Sequence, residues 1–303
     1  MATADRRIPA SVHTALLAVQ LMFASLSIVG KIALRELPPF GLICARVTLA
    51  TLVLVAARAL LRRGERVAPR HLAELALCAF FGITANMLLF IAGLARTTAT
   101  NAIVIGTTIP VFTVGVAVVL RKEAATLAKV LGLAVACIGA MVIVGAARFE
   151  VGSGRLLGNL FVVGNSLSFS IYLVISRRLL SIYSPMTVVA WTFVFGALGI
   201  LPFGLGPLVA TAPHLSPRGW SCIAYIVMSP TVGTYFLNMF ALQKAPSSLV
   251  AIYIYLQPVV GALLAAWRLG ERPSGATYVG GGLIAIGIWL VTRAAIGRSR
   301  SAP

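Results

Sequence analysis

The sequence predicts an all-α membrane protein with ten transmembrane helices arranged as two inverted five-helix repeats. Of its 303 residues, 59% are hydrophobic and only 11% are charged, and the mean hydropathy is +0.99. A soluble domain needs roughly 25% charged residues to cover its surface, so this composition indicates a chain that lies in a lipid bilayer. The net charge of +18 does not indicate a nucleic-acid partner, because the basic residues lie between apolar segments.

Ten apolar segments are each long enough to span the hydrocarbon core, which takes about 20 residues of helix. The connections between them are short and often contain proline or glycine. The predicted spans cover residues 14–34, 41–61, 72–94, 99–120, 127–146, 157–177, 185–205, 219–241, 247–268 and 275–294.

An internal repeat relates the two halves of the chain. Shifted by 148 positions, residues 86–144 align with residues 234–292 without a gap, and the scarce prolines and glutamates coincide. The earlier helices align at a shift of 146. Because each half contains an odd number of spans, the second half must enter the membrane upside down, as in many secondary transporters. We therefore divide the chain into a first repeat, residues 1–148, and a second, inverted repeat, residues 149–303.

The basic residues predict the orientation of the chain. Roughly twice as many of them fall on the side of the N-terminus as on the other side, and cytoplasmic loops carry the excess of Lys and Arg. We therefore expect a multi-pass protein of the cytoplasmic (inner) membrane with both termini in the cytoplasm. Arg46 lies inside the second predicted span and is assigned to neither side.

Titratable groups are scarce inside the predicted spans. The seven acidic residues and three histidines all lie in tails, in loops or at the ends of spans. Proton-coupled antiporters usually need a buried carboxylate or imidazole, so we expect transport without a proton-carrying carboxylate. The four cysteines show no CxxC spacing, and no motif of a nucleophilic or metal-dependent enzyme is present. We therefore expect neither catalysis nor a cofactor or metal.

Neutral polar side chains recur at helical spacing inside several spans. Lipid offers them no hydrogen-bond partners, so these stripes must face other helices or a water-filled cavity. Hydrogen bonds that hold helices together would explain them, and the alternative is a central substrate cavity. The residues predicted to line that cavity are Gln20, Asn86, Asn101, Thr108, Asn165, Tyr172, Asn238, Tyr253 and Gln257.

Two prolines and a set of glycines complete the pattern. Pro110 and Pro258 lie in the middle of equivalent spans, where proline removes a backbone hydrogen bond and kinks the helix. Matching broken helices are typical of a substrate site near the midplane, so a gating role is expected, and a simple packing kink is the alternative. Spans 5 and 10 are rich in glycine, which favours close packing within the scaffold or a homodimer through these spans.

The doubled pattern resembles a known family. Each half has a basic residue near the end of its first helix and a mid-span proline followed thirteen residues later by a glutamate. The residues concerned are Lys31, Pro110 and Glu123 in the first half and Arg177, Pro258 and Glu271 in the second. With ten spans, this arrangement resembles the EamA-type members of the drug/metabolite transporter superfamily, and among them the YddG-type exporters of aromatic amino acids.

The resemblance implies an exporter in which spans 1–4 and 6–9 surround a central cavity and spans 5 and 10 lie at the edge. The substrates it implies are small zwitterionic or uncharged metabolites, with aromatic or other neutral amino acids foremost. Two alternatives within the same superfamily remain open: a proton-coupled multidrug exporter, and a carrier of lipids or nucleotide sugars.

Overall fold

The computed structural model describes residues 8–61, 65–97, 102, 105–144, 155–260 and 275–297. Within these residues the chain is helical and contains no β-strand. The α-helices are α1 (Ala10–Ala33), α2 (Pro39–Leu61), α3 (Leu72–Ala79), α4 (Ala85–Leu94), α5 (Ile109–Val119), α6 (Leu127–Val144), α7 (Leu156–Leu180), α8 (Pro185–Thr211), α9 (Pro217–Val227), α10 (Thr234–Lys244), α11 (Ser247–Ile252) and α12 (Gly275–Gly297). A first π turn (Phe80–Thr84) joins α3 to α4, and a second π turn (Met228–Gly233) joins α9 to α10.

The described helices include six segments that are long and apolar enough to cross a membrane. Four shorter apolar helices overlap the predicted spans 1, 4, 5 and 9, and parts of spans 4, 5 and 9 lie outside the described residues. The class of multi-pass helical protein is therefore confirmed, and the full count of ten spans stays a prediction. The six long segments are Pro39–Leu61, Pro69–Leu94, Leu156–Leu180, Pro185–His214, Pro217–Lys244 and Tyr278–Ala295.

Prolines and serines fix where several helices begin. α2, α8 and α9 each start at a proline, whose fixed φ suits the first turn and whose missing N–H group needs no partner there. Ser184 precedes α8 and accepts the backbone N–H of Thr187, and Ser216 precedes α9 and accepts that of Gly219. Serine is among the best residues at this position because its hydroxyl satisfies an otherwise unpaired N–H group.

The helix boundaries of the two halves coincide at the shifts found in the sequence. α1 and α7 begin 146 residues apart, and so do α2 and α8. The two π turns begin 148 residues apart, and so do α6 and α12. Equivalent stretches of sequence have therefore folded into equivalent elements, although identical residues are few.

The equivalent helices α6 and α12 pack against each other and run antiparallel. A Cβ atom added to Gly132 would lie 2.8 Å from the carbonyl oxygen of Gly287, and one added to Gly139 would lie 2.6 Å from that of Gly280. Gly132 precedes Gly139 on α6, but their partners occur in the reverse order on α12. The glycines allow the two backbones to approach closely. These four glycines are consequently used within one chain, and a homodimer through spans 5 and 10 stays an expectation.

The equivalent helices α2 and α8 show the same relation. Thr51 donates a hydrogen bond of 3.0 Å to the carbonyl oxygen of Phe193, and Arg58 donates one of 3.2 Å to the hydroxyl of Thr187. Near the start of α2, Gly41 lies against the backbone at Pro207. Successive contacts along α2 therefore fall on successively earlier residues of α8, so the two helices run antiparallel. A two-fold axis between the halves, lying in the membrane plane, would produce such antiparallel pairs.

Carboxylates of the first half also bind the beginnings of helices in the second half. Glu36 accepts hydrogen bonds from the backbone N–H and the hydroxyl of Ser216, which precedes α9. Glu65 accepts the same two bonds from Ser184, which precedes α8, and a further bond from the hydroxyl of Thr187. A negative charge is favourable at a helix N-terminus, where N–H groups and the positive end of the helix dipole converge. These contacts join the halves through the loops.

Glu123 makes the most buried of these contacts. It accepts hydrogen bonds from the hydroxyls of Ser247 and Ser248, both 2.5 Å long, at the start of α11. The ammonium of Lys129, itself only 2% exposed, lies 2.6 Å from the carboxylate. Burial alone would raise the pKa of Glu123, but the hydrogen bond and charge of Lys129, with the two serine hydroxyls, lower it to about 2.

We predict that Glu123→Gln lowers the free energy of unfolding by about 3 kcal/mol at pH 7, the value expected from the lowered pKa. Because that pKa is depressed in the folded state, the stabilisation is present above the ordinary value of 4.5 and is lost as the pH falls toward about 2. Unfolding by SDS in mixed micelles would measure this stabilisation, and the difference in unfolding free energy between variant and wild type should disappear over that pH range.

Glu74→Gln is the control, because Glu74 pairs with an Arg178 side chain that is 63% exposed, and exposed pairs contribute about 1 kcal/mol or less. Equal effects of the two substitutions would contradict this account.

We also predict that Gly139→Ala destabilises the protein, because the added methyl group would collide with the backbone of α12. Overpacking of this kind costs about 1–3 kcal/mol. Gly115→Ala on α5 is the matched control, since nothing lies within 4 Å of the added atom. The two variants would be compared by thermal denaturation in detergent, and tolerance of Gly139→Ala equal to that of Gly115→Ala would show that α6 and α12 do not pack this closely.

Candidate functional site

The two π turns present backbone carbonyl groups to the opposite half of the chain. The carbonyl oxygen of Gly82, in the first π turn, accepts a 3.0 Å hydrogen bond from the hydroxyl of Tyr235. The carbonyl oxygen of Pro230, in the second, accepts a 3.3 Å bond from the guanidinium of Arg46. Gly82 and Pro230 are equivalent positions at the shift of 148. π-helical turns are rare and often mark functional sites, so these two deep breaks define the region of interest.

A second pair of helix interruptions lies beside Pro110 and Pro258. The helical path is broken by a turn at residues 107–108, and Pro110 is the second residue of α5. In the second half, α11 gives way to a 3₁₀ turn at Tyr253–Tyr255, three residues before Pro258. The predicted broken helices are thus present just before both prolines, and a gating role for these prolines stays a prediction.

One group of predicted cavity residues makes hydrogen bonds within the protein. The side-chain amide of Asn165 donates to the backbone carbonyl of Asn86 at 2.8 Å, and that of Asn86 donates to the carbonyl of Asn165 at 3.4 Å. The hydroxyl of Thr108 donates to its own turn at 2.6 Å. Tyr172 is 1% exposed, and its hydroxyl lies 3.6 Å from the sulfur of Met239. For Asn86, Asn165 and Tyr172 the contacts match the alternative of hydrogen bonds that hold helices together, whereas the bond of Thr108 is local to its own turn.

A second group includes a buried polar atom without a partner among the described residues. Gln20 is 2% exposed, and its Oε1 atom accepts no hydrogen bond. Asn238 is 8% exposed, and Gln257 is half-buried. An unsatisfied buried polar atom is costly, so the retention of Gln20 calls for an explanation that packing does not supply. Asn101, which was assigned to the same cavity, lies outside the described residues.

Two ionisable side chains meet this region and were not included in the predicted site. The Nδ1 atom of His13, near the start of α1, lies 2.5 Å from the hydroxyl of Tyr253. The Nε atom of Arg46 donates to the hydroxyl of Thr231 at 2.6 Å. For Arg46 the sequence contains a signal of function, since it is a charged residue inside an apolar span. His13 gave no such signal, because its sequence position indicates only a helix end.

Two open cavities lie at the ends of helices on the side predicted to be cytoplasmic. One has a volume of about 310 Å³ and is bordered by Lys122, Arg177 and Gln243. The other has a volume of about 540 Å³ and is bordered by Arg70 and Glu74. Both have basic rims, and neither is lined by a residue of the predicted central cavity. The central cavity therefore stays a prediction.

The described residues offer no cluster of three or more histidine, cysteine or acidic side chains that could hold a metal ion. Their cysteines, Cys44, Cys78, Cys137 and Cys222, are free thiols. The polar groups around the π turns are instead amides, hydroxyls, carbonyls and one guanidinium, which can bind a small polar solute by hydrogen bonds and charge.

Comparison with solved structures agrees with this fold. One crystal structure superimposes over 97% of this chain and 99% of its own, with a TM-score of 0.77 and 21% sequence identity. At that identity the similarity shows the fold alone.

Comparison of sequences identifies the family. The chain is 29% identical over 281 residues to an uncharacterized transporter of Archaeoglobus fulgidus, covering 92% of this chain and 96% of the relative. It is 30% identical over 274 residues to a probable terminal-alkyne amino-acid exporter of Streptantibioticus cattleyicolor, covering 86% of each. The profile of the EamA-like transporter family matches twice, over residues 11–145 and 156–293. The protein thus belongs to the EamA-like transporter family, and its sequence contains two copies of the family's repeat.

Proposed function

We propose that this transporter exports small zwitterionic or uncharged metabolites, foremost neutral amino acids, across the cytoplasmic membrane. The observation that carries the proposal is the antiparallel packing of equivalent helices, α2 against α8 and α6 against α12, around matching breaks in the spans. Such an arrangement is typical of secondary transporters with inverted repeats. The direction of transport and the class of substrate follow the Streptantibioticus relative, which is named as a probable amino-acid exporter.

The same observations support the proposed topology. Ten spans in two inverted halves, residues 1–148 and 149–303, would place both termini in the cytoplasm. The carboxylate contacts agree with this arrangement, since each joins loops that lie on one side of the membrane: Glu65 with Ser184 and Glu123 with Ser247 on the cytoplasmic side, and Glu36 on the outer side. Alternating access would then open the contacts at one face while those at the other face hold.

The class of substrate is tested by transport into proteoliposomes. The purified protein would be reconstituted, and the uptake of each of the twenty radiolabelled amino acids would be measured against empty vesicles. We expect uptake of neutral members of the set. If none of the twenty is transported while a lipophilic cation is, the multidrug alternative replaces the proposal.

We predict that transport depends on the side chains of Gln20, Tyr253 and Gln257 more than on that of Asn86. Gln20→Leu, Tyr253→Ala and Gln257→Ala should reduce the initial rate about tenfold or more, the size expected for loss of one useful hydrogen bond to the substrate, while thermal stability changes little. Asn86→Leu should lower the thermal stability and leave the initial rate of transport nearly unchanged, because the amide of Asn86 bonds another helix.

Gly281→Ala provides the remote control, since nothing lies closer than 3.9 Å to the added atom. All variants would be compared at equal reconstituted amounts, with Asn101→Ala included as the remaining predicted cavity residue. Normal transport by every variant of the first group would show that these polar residues serve packing only.

The energy source is proposed to be the gradient of the substrate itself. All described carboxylates are engaged at the ends of helices, which supports transport without a proton-carrying carboxylate. One observation favours the alternative of proton coupling, namely the contact between the imidazole of His13 and Tyr253. An imidazole beside the substrate site could carry a proton, since its ordinary pKa is near 6.5.

We predict that labelled substrate equilibrates across proteoliposomes at a rate that does not change when a pH gradient is collapsed. The reason is that coupling requires a site whose proton occupancy differs between the two access states. His13→Gln, which keeps a polar side chain but cannot titrate, should then transport normally. Accumulation above equilibrium that is driven by an imposed pH gradient and abolished in His13→Gln would establish proton coupling instead.

A further inference from the structure

Arg46 is a charged side chain within an apolar span. It is the eighth residue of α2, an apolar helix of 23 residues. Its half-buried guanidinium crosses to the second half of the chain, where Nε donates to the hydroxyl of Thr231 at 2.6 Å and Nη2 to the carbonyl of Pro230 at 3.3 Å. A charge at this depth is expensive and usually functional.

No carboxylate in the described part of the chain neutralises Arg46. All four described acids are engaged at the ends of helices, by Ser216, by Ser184, by Arg178 and by Lys129 with Ser247. The electrostatic neighbour of Arg46 is Tyr235, a neutral phenol whose hydroxyl donates to Gly82. Burying part of a cation is costly unless it is paired, and a bound anionic group would supply the counter-charge that the described side chains do not.

The second π turn holds the guanidinium in a fixed orientation. The hydroxyl of Thr231 is fully buried and donates its own proton to the carbonyl of Ile226, which leaves its oxygen free to accept from Arg46. An arginine has five N–H groups, and the two contacts use one N–H of Nε and one of Nη2. The Nη1 side therefore remains available, and a planar guanidinium binds a planar carboxylate through two parallel hydrogen bonds.

A hydrogen-bond acceptor is present on the neighbouring helix. α1 packs against the second π turn, where the sulfur of Met22 lies 3.1 Å from a Cβ atom added to Gly233. Gln20, with its unpartnered Oε1, is on the same helix but two residues away, which at helical spacing puts it on a different face from Met22. A zwitterion that reached from Arg46 across to α1 would need both kinds of group, a cation for its carboxylate and an acceptor for its ammonium.

We propose that Arg46, held by Thr231 and Pro230 at the second π turn, binds the carboxylate of the transported amino acid. This assignment rests on the proposed function and adds to it the group on the substrate that is recognised. Under this assignment, amines and amides that lack the carboxylate are poor substrates, because their binding would leave the guanidinium without its counter-charge.

The test uses the full chain, purified in detergent, and measures thermal stabilisation by two mixtures. One contains the twenty amino acids, and the other contains the corresponding α-carboxamides, which keep the shape and lose the charge. We expect the acids to stabilise the wild-type protein at concentrations at least tenfold lower than the amides. Arg46→Gln should lose this preference, whereas Arg293→Gln, at the end of α12 above Trp289, should keep it.

Two further variants apply if Arg46→Gln does not fold. Arg46→Lys retains the charge but not the two parallel donors, and Thr231→Val removes the acceptor that orients the guanidinium while leaving the charge in place. Both should weaken the response to the acids several-fold and leave the response to the amides unchanged. An unchanged response to the acids in both variants would overturn the proposal.

The remaining outcomes separate this proposal from the proposed function. If the wild-type protein neither transports nor is stabilised by amino acids, the proposed function fails, and the carboxylate assignment fails with it. If acids and amides act equally, or Arg46→Gln retains the preference, amino-acid transport stands and the role of Arg46 is refuted. The measurements would be repeated in chloride and in gluconate to detect binding of an inorganic anion. If chloride alone stabilises the wild-type protein and this effect is lost in Arg46→Gln, the ligand of Arg46 is chloride and not the substrate carboxylate.

Discussion

A lipid bilayer contains no hydrogen-bond partners, so every interruption of a spanning helix must be compensated by the protein itself. The two π turns show how this is done, because carbonyl groups at equivalent positions, Gly82 and Pro230, each accept a side-chain hydrogen bond from the opposite half. The second break also has a donor of its own half, since the hydroxyl of Thr234 donates to the carbonyl of Pro230 at 2.9 Å. The bonds from Tyr235 and Arg46 add contacts that form only when the two halves are folded against each other.

The sequence was sufficient for the class of fold, for the repeat and for the family, because each depends on patterns that extend over many residues. The equal spacing of helix boundaries follows from the same patterns, and the π turns fall on aligned stretches. The π turns themselves were not predictable, since Phe80–Thr84 and Met228–Gly233 share no distinctive residues and differ even in the presence of a proline. The contacts that Tyr235 and Arg46 make with these turns are visible only in the packed chain.

The candidate site was harder to predict than the fold because helical spacing identifies a polar stripe but not its partner. Asn86 and Gln20 give the same kind of signal in sequence, yet Asn86 is paired with Asn165 and Gln20 is left with a free oxygen. Arg46 is visible in the sequence as a charge within a span, but the sequence does not show which groups it contacts. Its guanidinium is a poor proton carrier because arginine stays protonated in proteins.

In the described part of the chain, the carboxylates that bind serines across the two halves belong to the first half, and the serines belong to the second. The positions equivalent to Glu36 and Glu65 at the shift of 146 are Ile182 and Thr211, which cannot replace them. Glu123 differs, because its equivalent at the shift of 148 is Glu271. At the other two contacts, two copies of the first half would bring Glu36 and Glu65 together without their serine donors. These two contacts therefore favour the pairing of unlike halves, so halves produced as separate polypeptides would be biased toward a heterodimer.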